Sequence, residues 1–186
     1  MKKLLTSMSI LGFLVGLSPL VSAQTVELQT TQGNIQIQLN AEKAPKSVAN
    51  FLQYVNKGHY ENTIFHRVIN DFMIQGGGMT DDLNEKPTSS PIPLESGNGL
   101  SNKKGTVAMA RTNAPNSATA QFFINVQDNA LLDKANSPDG NGYAVFGSVI
   151  KGMDVVEKIK TVPTGNKGMH KDVPREPIRI TKARVL

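Results

Sequence analysis

The feature that most constrains the fold is a series of short apolar runs separated by stretches rich in turn-forming residues. Apolar runs of about four to eight residues between turns are typical of β-strands, and many of them in succession favour a barrel or a sandwich. A polar loop at residues 80–93 separates the first run from the rest. The runs occupy residues 64–74, 105–110, 122–126 and 143–149.

Further strands are predicted at both ends of this region. Apolar and polar residues alternate on either side of Gln32-Gly33, which predicts a hairpin with one buried face between Val26 and Leu39. Residues 178–185 resume the apolar pattern and predict a closing strand near the C-terminus. Strands from both ends would then find partners in one closed sheet.

Two helices are predicted outside these strands. Pro45 follows Ala44 at a position where proline favours the start of a helix, and apolar residues then recur every three or four positions as far as Gly58. Residues 153–160 show the same spacing over a shorter stretch. We find no internal repeat and no linker long enough to divide the chain.

Residues 1–23 have the features of a secretory signal peptide. Lys2 and Lys3 precede a mostly apolar stretch, and Val21-Ser22-Ala23 offers small residues before a cleavage site. The alternative is a membrane anchor, which needs roughly 20 continuously apolar residues, and this stretch is interrupted by polar residues, glycine and proline. We expect cleavage before Gln24, no stable membrane insertion, and one domain over residues 24–186.

Composition excludes several classes of function. The chain has no cysteine, so it can form neither a disulfide nor a cysteine-based metal site or nucleophile, nor a lipid-modified cysteine after the signal. The net charge of +5 falls to +3 when Lys2 and Lys3 are removed, and no basic run indicates nucleic-acid binding. The sequence lacks the common hydrolase and nucleotide-binding motifs, and its three histidines are widely spaced. We expect no metal and no cofactor.

A glycine run at residues 76–78 admits two interpretations. Backbone N–H groups in such a run can bind phosphate, but no helix start with a lysine follows it here. A sharp turn or a β-bulge fits the run better.

One charged residue stands out among apolar neighbours: Arg67, in the segment FHRVINDFMIQGGG at residues 65–78. Arginine is always charged and is rarely buried without a partner. Among apolar neighbours, it indicates either a structural ion pair or a guanidinium directed into a pocket.

A second segment changes the balance between these two interpretations. With SATAQFFINV at residues 117–126 following FHRVINDFMIQGG, the sequence resembles the cyclophilin family of peptidyl-prolyl cis-trans isomerases, and within it the exported bacterial branch. The resemblance covers the whole predicted mature chain. It implies a mainly β fold, a closed eight-stranded antiparallel β-barrel capped by two α-helices, and it implies that the enzyme isomerises X-Pro bonds in proline-containing segments of exported, folding proteins.

The resemblance also assigns roles by residue. Arg67 matches the catalytic arginine, Gln75 and Gln121 match polar residues of the groove, and Ala110 and Arg111 match the strand whose backbone binds the extended substrate. The residues that match the pocket for the proline ring are Phe72, Met73, Phe123 and Leu132.

This chain departs from many eukaryotic members at the groove. Leu131 stands where they have tryptophan, Tyr143 where they have histidine, and Arg111 where asparagine is common. Loss of the indole N–H predicts weak binding of cyclosporin, whereas Tyr143 keeps an aromatic ring with a polar tip.

Two interpretations of another kind remain. A non-catalytic binding module or holdase chaperone could hold proline segments in the same groove, although apolar holding alone would not need a buried cation at Arg67. A carbohydrate-binding domain would need exposed aromatic platforms, and the chain has no tryptophan. We expect a monomer in the periplasm, with secretion to the medium as the second choice.

Overall fold

The structure, a computed structural model, describes residues 24–186. The predicted signal peptide, residues 1–23, lies outside the described residues. Eight strands form a closed barrel in which every neighbouring pair is antiparallel, and two helices pack their apolar faces against its core. The predicted fold class is confirmed. The elements in chain order are β1 (Thr25–Thr30), β2 (Gly33–Leu39), α1 (Pro45–Asn56), β3 (Thr63–Ile69), β4 (Met73–Gly76), β5 (Thr106–Met109), β6 (Phe122–Asn125), a 3-10 turn (Ala130–Leu132), β7 (Val145–Lys151), α2 (Met153–Lys160), β8 (Thr164–Lys167), β9 (His170–Pro174) and β10 (Arg179–Val185).

The order of strands around the barrel is β1-β10-β3-β4-β6-β5-β7-β2. The first hairpin pairs β1 with β2 as predicted, and β10 closes the sheet by pairing with both β1 and β3. Residues 64–74, a single apolar run in the sequence, are two strands, since the chain turns between Ile69 and Met73. No helix within residues 24–186 combines the length and apolar character needed to cross a membrane.

Helix α1 begins with a cap that comes from a distant loop. Pro45 occupies the first turn, and Ala44 before it offers no capping side chain. Instead, the Glu95 carboxylate accepts hydrogen bonds from the Lys46 N–H at 3.0 Å and the Ser47 N–H at 2.8 Å. A carboxylate at this end of a helix also complements the helix dipole.

The barrel core and the outer surface share the same four strands. Val68, Ile74, Ile124 and Val107 lie opposite one another across β3, β4, β6 and β5, and all belong to the main buried cluster. Because successive side chains of a strand point to opposite faces, their sequence neighbours must face outward. That outer row contains the candidate site.

Candidate active site

An outer row of side chains crosses the same four strands. Arg67 on β3 pairs with Gln75 on β4, Gln75 pairs with Phe123 on β6, and Phe123 pairs with Ala108 on β5. Residues directly opposite in a sheet point to the same face. Two strand spacings separate Arg67 from Phe123, so their Cα atoms are roughly 10 Å apart. A guanidinium and an apolar ring therefore face the same shallow space.

A bulge in β3 directs Arg67 to the outer face. Phe65 pairs with Gly76 and Arg67 pairs with Gln75, so His66 is an extra residue between two successive pairs. Phe65 lies in the barrel core; in an unbroken strand Arg67 would therefore point there too. One added residue reverses the alternation and re-aims the next side chain.

The apolar side chains of the outer face form a cluster separate from the barrel core. Four of its members are buried, with Met73 at 2% and Phe123 at 4% exposure. Phe72, Leu132 and Tyr143 pack around them and are only partly buried. The cluster thus lies at the surface beside the Arg67 row rather than filling the barrel, and Phe72, Met73, Phe123 and Leu132 are brought together as predicted.

Arg67 is half-exposed rather than buried, which corrects the expectation of a buried cation. Its side chain is 42% exposed, and its Nε lies 3.7 Å from Oδ2 of Asp172. It lines a groove of about 370 Å³ together with Gln75 and Gln121. Both interpretations of this arginine therefore hold in part, because it faces a groove and also has an acidic neighbour.

Gln75 and Gln121 join this groove to a second one. Gln75 Nε2 donates to Gln121 Oε1 at 2.9 Å. Gln121 packs against Gly78, where a Cβ atom would lie 2.4 Å from the glutamine side chain, and Gly77 before it has φ +86°. The predicted turn at residues 76–78 thus leaves room for Gln121. The second groove, of about 250 Å³, is lined by both glutamines together with Ala110 and Arg111.

Comparison with known proteins agrees with this geometry. The family model described as cyclophilin type peptidyl-prolyl cis-trans isomerase matches residues 25–185. The chain belongs to the cyclophilin family.

Bacterial peptidyl-prolyl cis-trans isomerases are similar to this chain over nearly their full length. A peptidyl-prolyl cis-trans isomerase of Streptomyces antibioticus is 59% identical over 87% of this chain and 98% of its own. Peptidyl-prolyl cis-trans isomerase B of Escherichia coli is 55% identical over 86% of this chain and 98% of its own. Isomerase A of Dickeya dadantii is 48% identical over 100% of this chain and 98% of its own. This chain is accordingly a peptidyl-prolyl cis-trans isomerase.

The fold is also that of solved cyclophilins. A cyclophilin-type isomerase of Cryptosporidium parvum superposes with a TM-score of 0.73 at 26% identity, covering 89% of this chain and 98% of that chain. A second structure of that protein, in the presence of the dipeptide Ala-Pro, gives the same TM-score.

Three other residues assigned to the cyclophilin groove have distinct surroundings. Leu131 on the 3-10 turn is 69% exposed and lies outside the apolar cluster. The Ala110 N–H, just after β5, donates to the Gln121 carbonyl just before β6 at 3.0 Å, which extends the pairing of these two strands toward the groove. Arg111 turns its side chain away into a neighbouring loop, with 2% of the side chain exposed.

A network of buried asparagines beneath the pocket was not predicted. Asn129 Nδ2 donates to the Phe72 carbonyl at 2.8 Å and to Asn125 Oδ1 at 2.7 Å. The Asn129 carbonyl in turn accepts from the Leu132 N–H at 2.8 Å. Asn125 has no exposed surface, and its Nδ2 continues the network to Asn102. The network fixes the two turns that carry Phe72 and Leu132. The only indication of it in the sequence is Asn125, a polar residue at the end of the apolar strand β6.

The hairpin of β8 and β9 was also missed. It forms a separate two-stranded sheet beside β3 and brings Asp172 next to Arg67. Asp172 has φ +58°, an uncommon conformation for a residue other than glycine. The hairpin was missed because short polar strands such as residues 164–167 show little apolar alternation. The one local signal for it was Gly168, a turn residue with φ +60°.

His66, at the bulge in β3, is buried next to Arg67 in the chain. Burial, together with nearby positive charge, lowers the pKa of His66 to about 4, so its imidazole is neutral near pH 7. Its role at the bulge is therefore structural. Within residues 24–186, no three His, Asp or Glu side chains are grouped as metal ligands would be.

A wider groove lies on another part of the surface. It has a volume of about 930 Å³ and runs along residues 38–42 and 99–106. It includes Leu100 and Val145 from the edge of the apolar cluster, but not Arg67 or either groove glutamine. Arg67 lies in the first of the two smaller grooves, and both glutamines line the pair of them.

Proposed function

We propose that this cyclophilin isomerises X-Pro bonds in exported proteins as they fold, with Arg67 as the catalytic residue and the outer apolar cluster as the pocket for the proline ring. The observation that carries the proposal is the outer row, in which Arg67, Gln75 and Phe123 lie on consecutive strands and face one space.

The reaction needs a group that favours the twisted amide. Resonance between nitrogen and carbonyl sets a rotation barrier of about 18–20 kcal/mol. In the twisted state the prolyl nitrogen regains a lone pair, which can accept a hydrogen bond. The Arg67 guanidinium stays protonated and offers several N–H donors at the edge of the pocket.

One hydrogen bond does not account for the whole acceleration. Shortening a step of tens of seconds to milliseconds requires on the order of 6 kcal/mol. A charge-assisted hydrogen bond contributes roughly 1.5–3 kcal/mol. The remainder comes from holding the proline ring against Phe72, Met73, Phe123 and Leu132 while the preceding carbonyl turns.

The polar residues orient the peptide across this pocket. The Gln75–Gln121 pair lies between the two grooves, so an extended chain that passes over it can reach the Ala110 backbone on one side and Arg67 on the other. Contacts of this kind read backbone and a proline rather than a particular side chain. The site therefore fits proline-containing segments of many unfolded chains, and the reaction uses no cofactor.

The isomerase experiment uses purified residues 24–186 and a short X-Pro peptide. Turnover is expected, and Arg67→Ala should lower kcat at least tenfold while thermal stability changes little, because this side chain is half-exposed. The same variant should lose its acceleration of a proline-limited refolding reaction. Undiminished turnover would remove Arg67 from the mechanism, and peptide binding without turnover by the parent chain would favour a holdase.

Export to the periplasm rests on the N-terminal sequence. Lys2 and Lys3, the apolar stretch after them, and Val21-Ser22-Ala23 together support cleavage before Gln24. Cell fractionation followed by N-terminal sequencing should recover a monomeric mature chain that begins near Gln24 in the periplasm. An uncleaved cytoplasmic chain would overturn this part of the proposal.

Cyclosporin should bind weakly. Leu131 provides no N–H donor, and its side chain projects into solvent beside the pocket. Leu131→Trp should strengthen inhibition by cyclosporin and leave turnover of a short peptide within about threefold, an effect of less than about 0.7 kcal/mol.

A further inference from the structure

The Arg111 side chain is almost fully buried beside the pocket, where it makes several polar contacts. Its Nε donates to the Gly142 carbonyl at 2.9 Å, and one terminal nitrogen donates to the Thr112 carbonyl at 2.9 Å. The other terminal nitrogen pairs with the Asp139 carboxylate. With 2% of its side chain exposed, Arg111 is held far more firmly than Arg67.

These contacts fix a loop whose two ends both belong to the pocket. Residues 133–142 leave the 3-10 turn after Leu132 and return at Tyr143, where the Tyr143 N–H donates to the Leu132 carbonyl at 2.9 Å. Compact loops with adjoining ends owe their shape to internal contacts. The loop therefore joins Leu132 and Tyr143, which both pack against the outer apolar cluster.

Asp139 is the centre of the loop's internal bonding. Its carboxylate accepts from the Ser137 hydroxyl, from the Asn141 N–H at 2.9 Å and from the Gly142 N–H at 3.3 Å. These hydrogen bonds and the Arg111 guanidinium hold the pKa of Asp139 well below its usual range. Asp139 is therefore charged at every pH at which the enzyme is assayed.

Gly142 can hardly be replaced at the point where the loop closes. Its φ is +65°, and a Cβ atom there would lie 2.5 Å from the backbone nitrogen of Lys134 and 2.8 Å from the carbonyl oxygen of Leu132. The carbonyl that Arg111 binds is thus placed by tight backbone packing.

The same arginine contacts the aromatic wall of the pocket. Its guanidinium carbon lies 4.5 Å from the centroid of the Tyr143 ring, within cation–π range. The Tyr143 ring in turn meets the Phe123 ring edge to face, with centroids 5.6 Å apart. Contacts therefore run from Asp139 through Arg111 and Tyr143 to Phe123.

We propose that Arg111 is a positioning residue of the isomerase: with Asp139, its side chain fixes loop 133–142 and so sets Tyr143 and Leu132 against Phe123 at the proline pocket. The proposal rests on the proposed function, because it takes this cluster as the site that holds the proline ring. Arg111 itself acts from behind the pocket.

The test compares Arg111→Lys, Asp139→Asn and the double variant with the parent chain on an X-Pro peptide. Lysine keeps the charge but cannot make the forked contacts. A looser pocket holds the substrate less well in ground and transition state alike, so KM should rise about three- to tenfold with kcat little changed. The effects of the two substitutions should be less than additive, since each removes the shared Arg111–Asp139 contact that holds the same loop.

Two controls separate this role from general destabilisation. Partial unfolding would lower kcat through loss of active enzyme and leave KM alone. Arg184→Gln removes another arginine–carboxylate pair, with Glu27 on the β1–β10 side of the barrel, and should leave both constants unchanged. In NMR spectra, the Tyr143 ring resonances should shift in both single variants and stay in place in Arg184→Gln.

Parent-like KM values, or unmoved Tyr143 resonances, would overturn the proposal. Strictly additive effects of the two substitutions would also overturn it, because Asp139 would then act independently of Arg111. Failure of the proposed function looks different: Arg67→Ala would keep full kcat. Loss of kcat in Arg67→Ala with unchanged KM in Arg111→Lys would reject this inference alone.

Discussion

The inner and outer faces of strands β3, β4, β6 and β5 are built from alternate residues of the same segments, yet they do different work. The inner row is buried in the barrel core, and its Ile74 and Ile124 have no exposed surface. The outer row carries a half-exposed arginine, a glutamine and the apolar pocket. Neighbouring residues of one strand therefore contribute either to the stability of the fold or to the candidate site. Four further substitutions test this division.

The largest effect is expected on the inner face. Ile124→Ala should lower the free energy of unfolding by about 2–5 kcal/mol, since it leaves a cavity in a closely packed core. KM and kcat of the folded fraction should stay within about twofold, an effect of under about 0.5 kcal/mol. Denaturant titration and peptide kinetics check both parts.

The neighbouring residue supplies the matched comparison. Phe123→Leu keeps an apolar side chain but removes the ring that faces Tyr143. The rise in KM, expressed as a free energy, should therefore exceed the fall in the free energy of unfolding. If Ile124→Ala raises KM as much as Phe123→Leu does, the two faces are not energetically separate.

The bulge residue between the two faces should make stability depend on pH. Because the pKa of His66 is lowered to about 4 in the folded chain, the unfolded chain takes up its proton first as the pH falls from about 6.5. The contribution to stability is complete above that pH and is lost as the pH approaches 4, to an extent on the order of 3 kcal/mol.

A substitution isolates this contribution. His66→Gln should flatten the decline of unfolding free energy between pH 6.5 and 4.5, measured by denaturant titration at each pH. An equal slope in the parent and the variant would show that burial of His66 does not govern the acid response.

The smallest effect is expected at the acidic neighbour of Arg67. Asp172→Asn should change kcat/KM by less than about threefold, because a pair 3.7 Å apart with both side chains about 40% exposed is weak and screened by water. A tenfold loss of kcat in a peptide assay would instead mean that the β8–β9 hairpin orients the arginine. Repeating the assay across salt concentrations separates screening from geometry.

Much of the fold could be predicted from the sequence because its signals are local. Apolar alternation placed β1, β2 and β10, and Pro45 marked the start of α1. The two long motifs identified the family and assigned ten residues to the groove besides Arg67. The four of these that were assigned to the proline pocket all lie in one cluster. Leu131, in contrast, lies outside that cluster.

The features that were missed depend on residues far apart in the chain. Glu95 caps a helix that begins some fifty positions earlier, as the sequence separation of 49 between Lys46 and Glu95 shows. The asparagine network and the Arg111–Asp139 pair likewise join separate loops. Periodicity reports only the spacing of neighbours, so it carries no information about such partners.

By itself, the sequence determined the strands, the two helices and the cyclophilin family, because short-range spacing and long motifs survive without knowledge of the fold. Only the tertiary structure decided which way Arg67 points, since that depends on His66 being left out of the pairing with β4. It also decided that the Arg111 side chain points into loop 133–142, where it bonds to the Gly142 carbonyl and the Asp139 carboxylate. Register and loop closure are settled by packing between distant segments, and packing is a property of the folded chain.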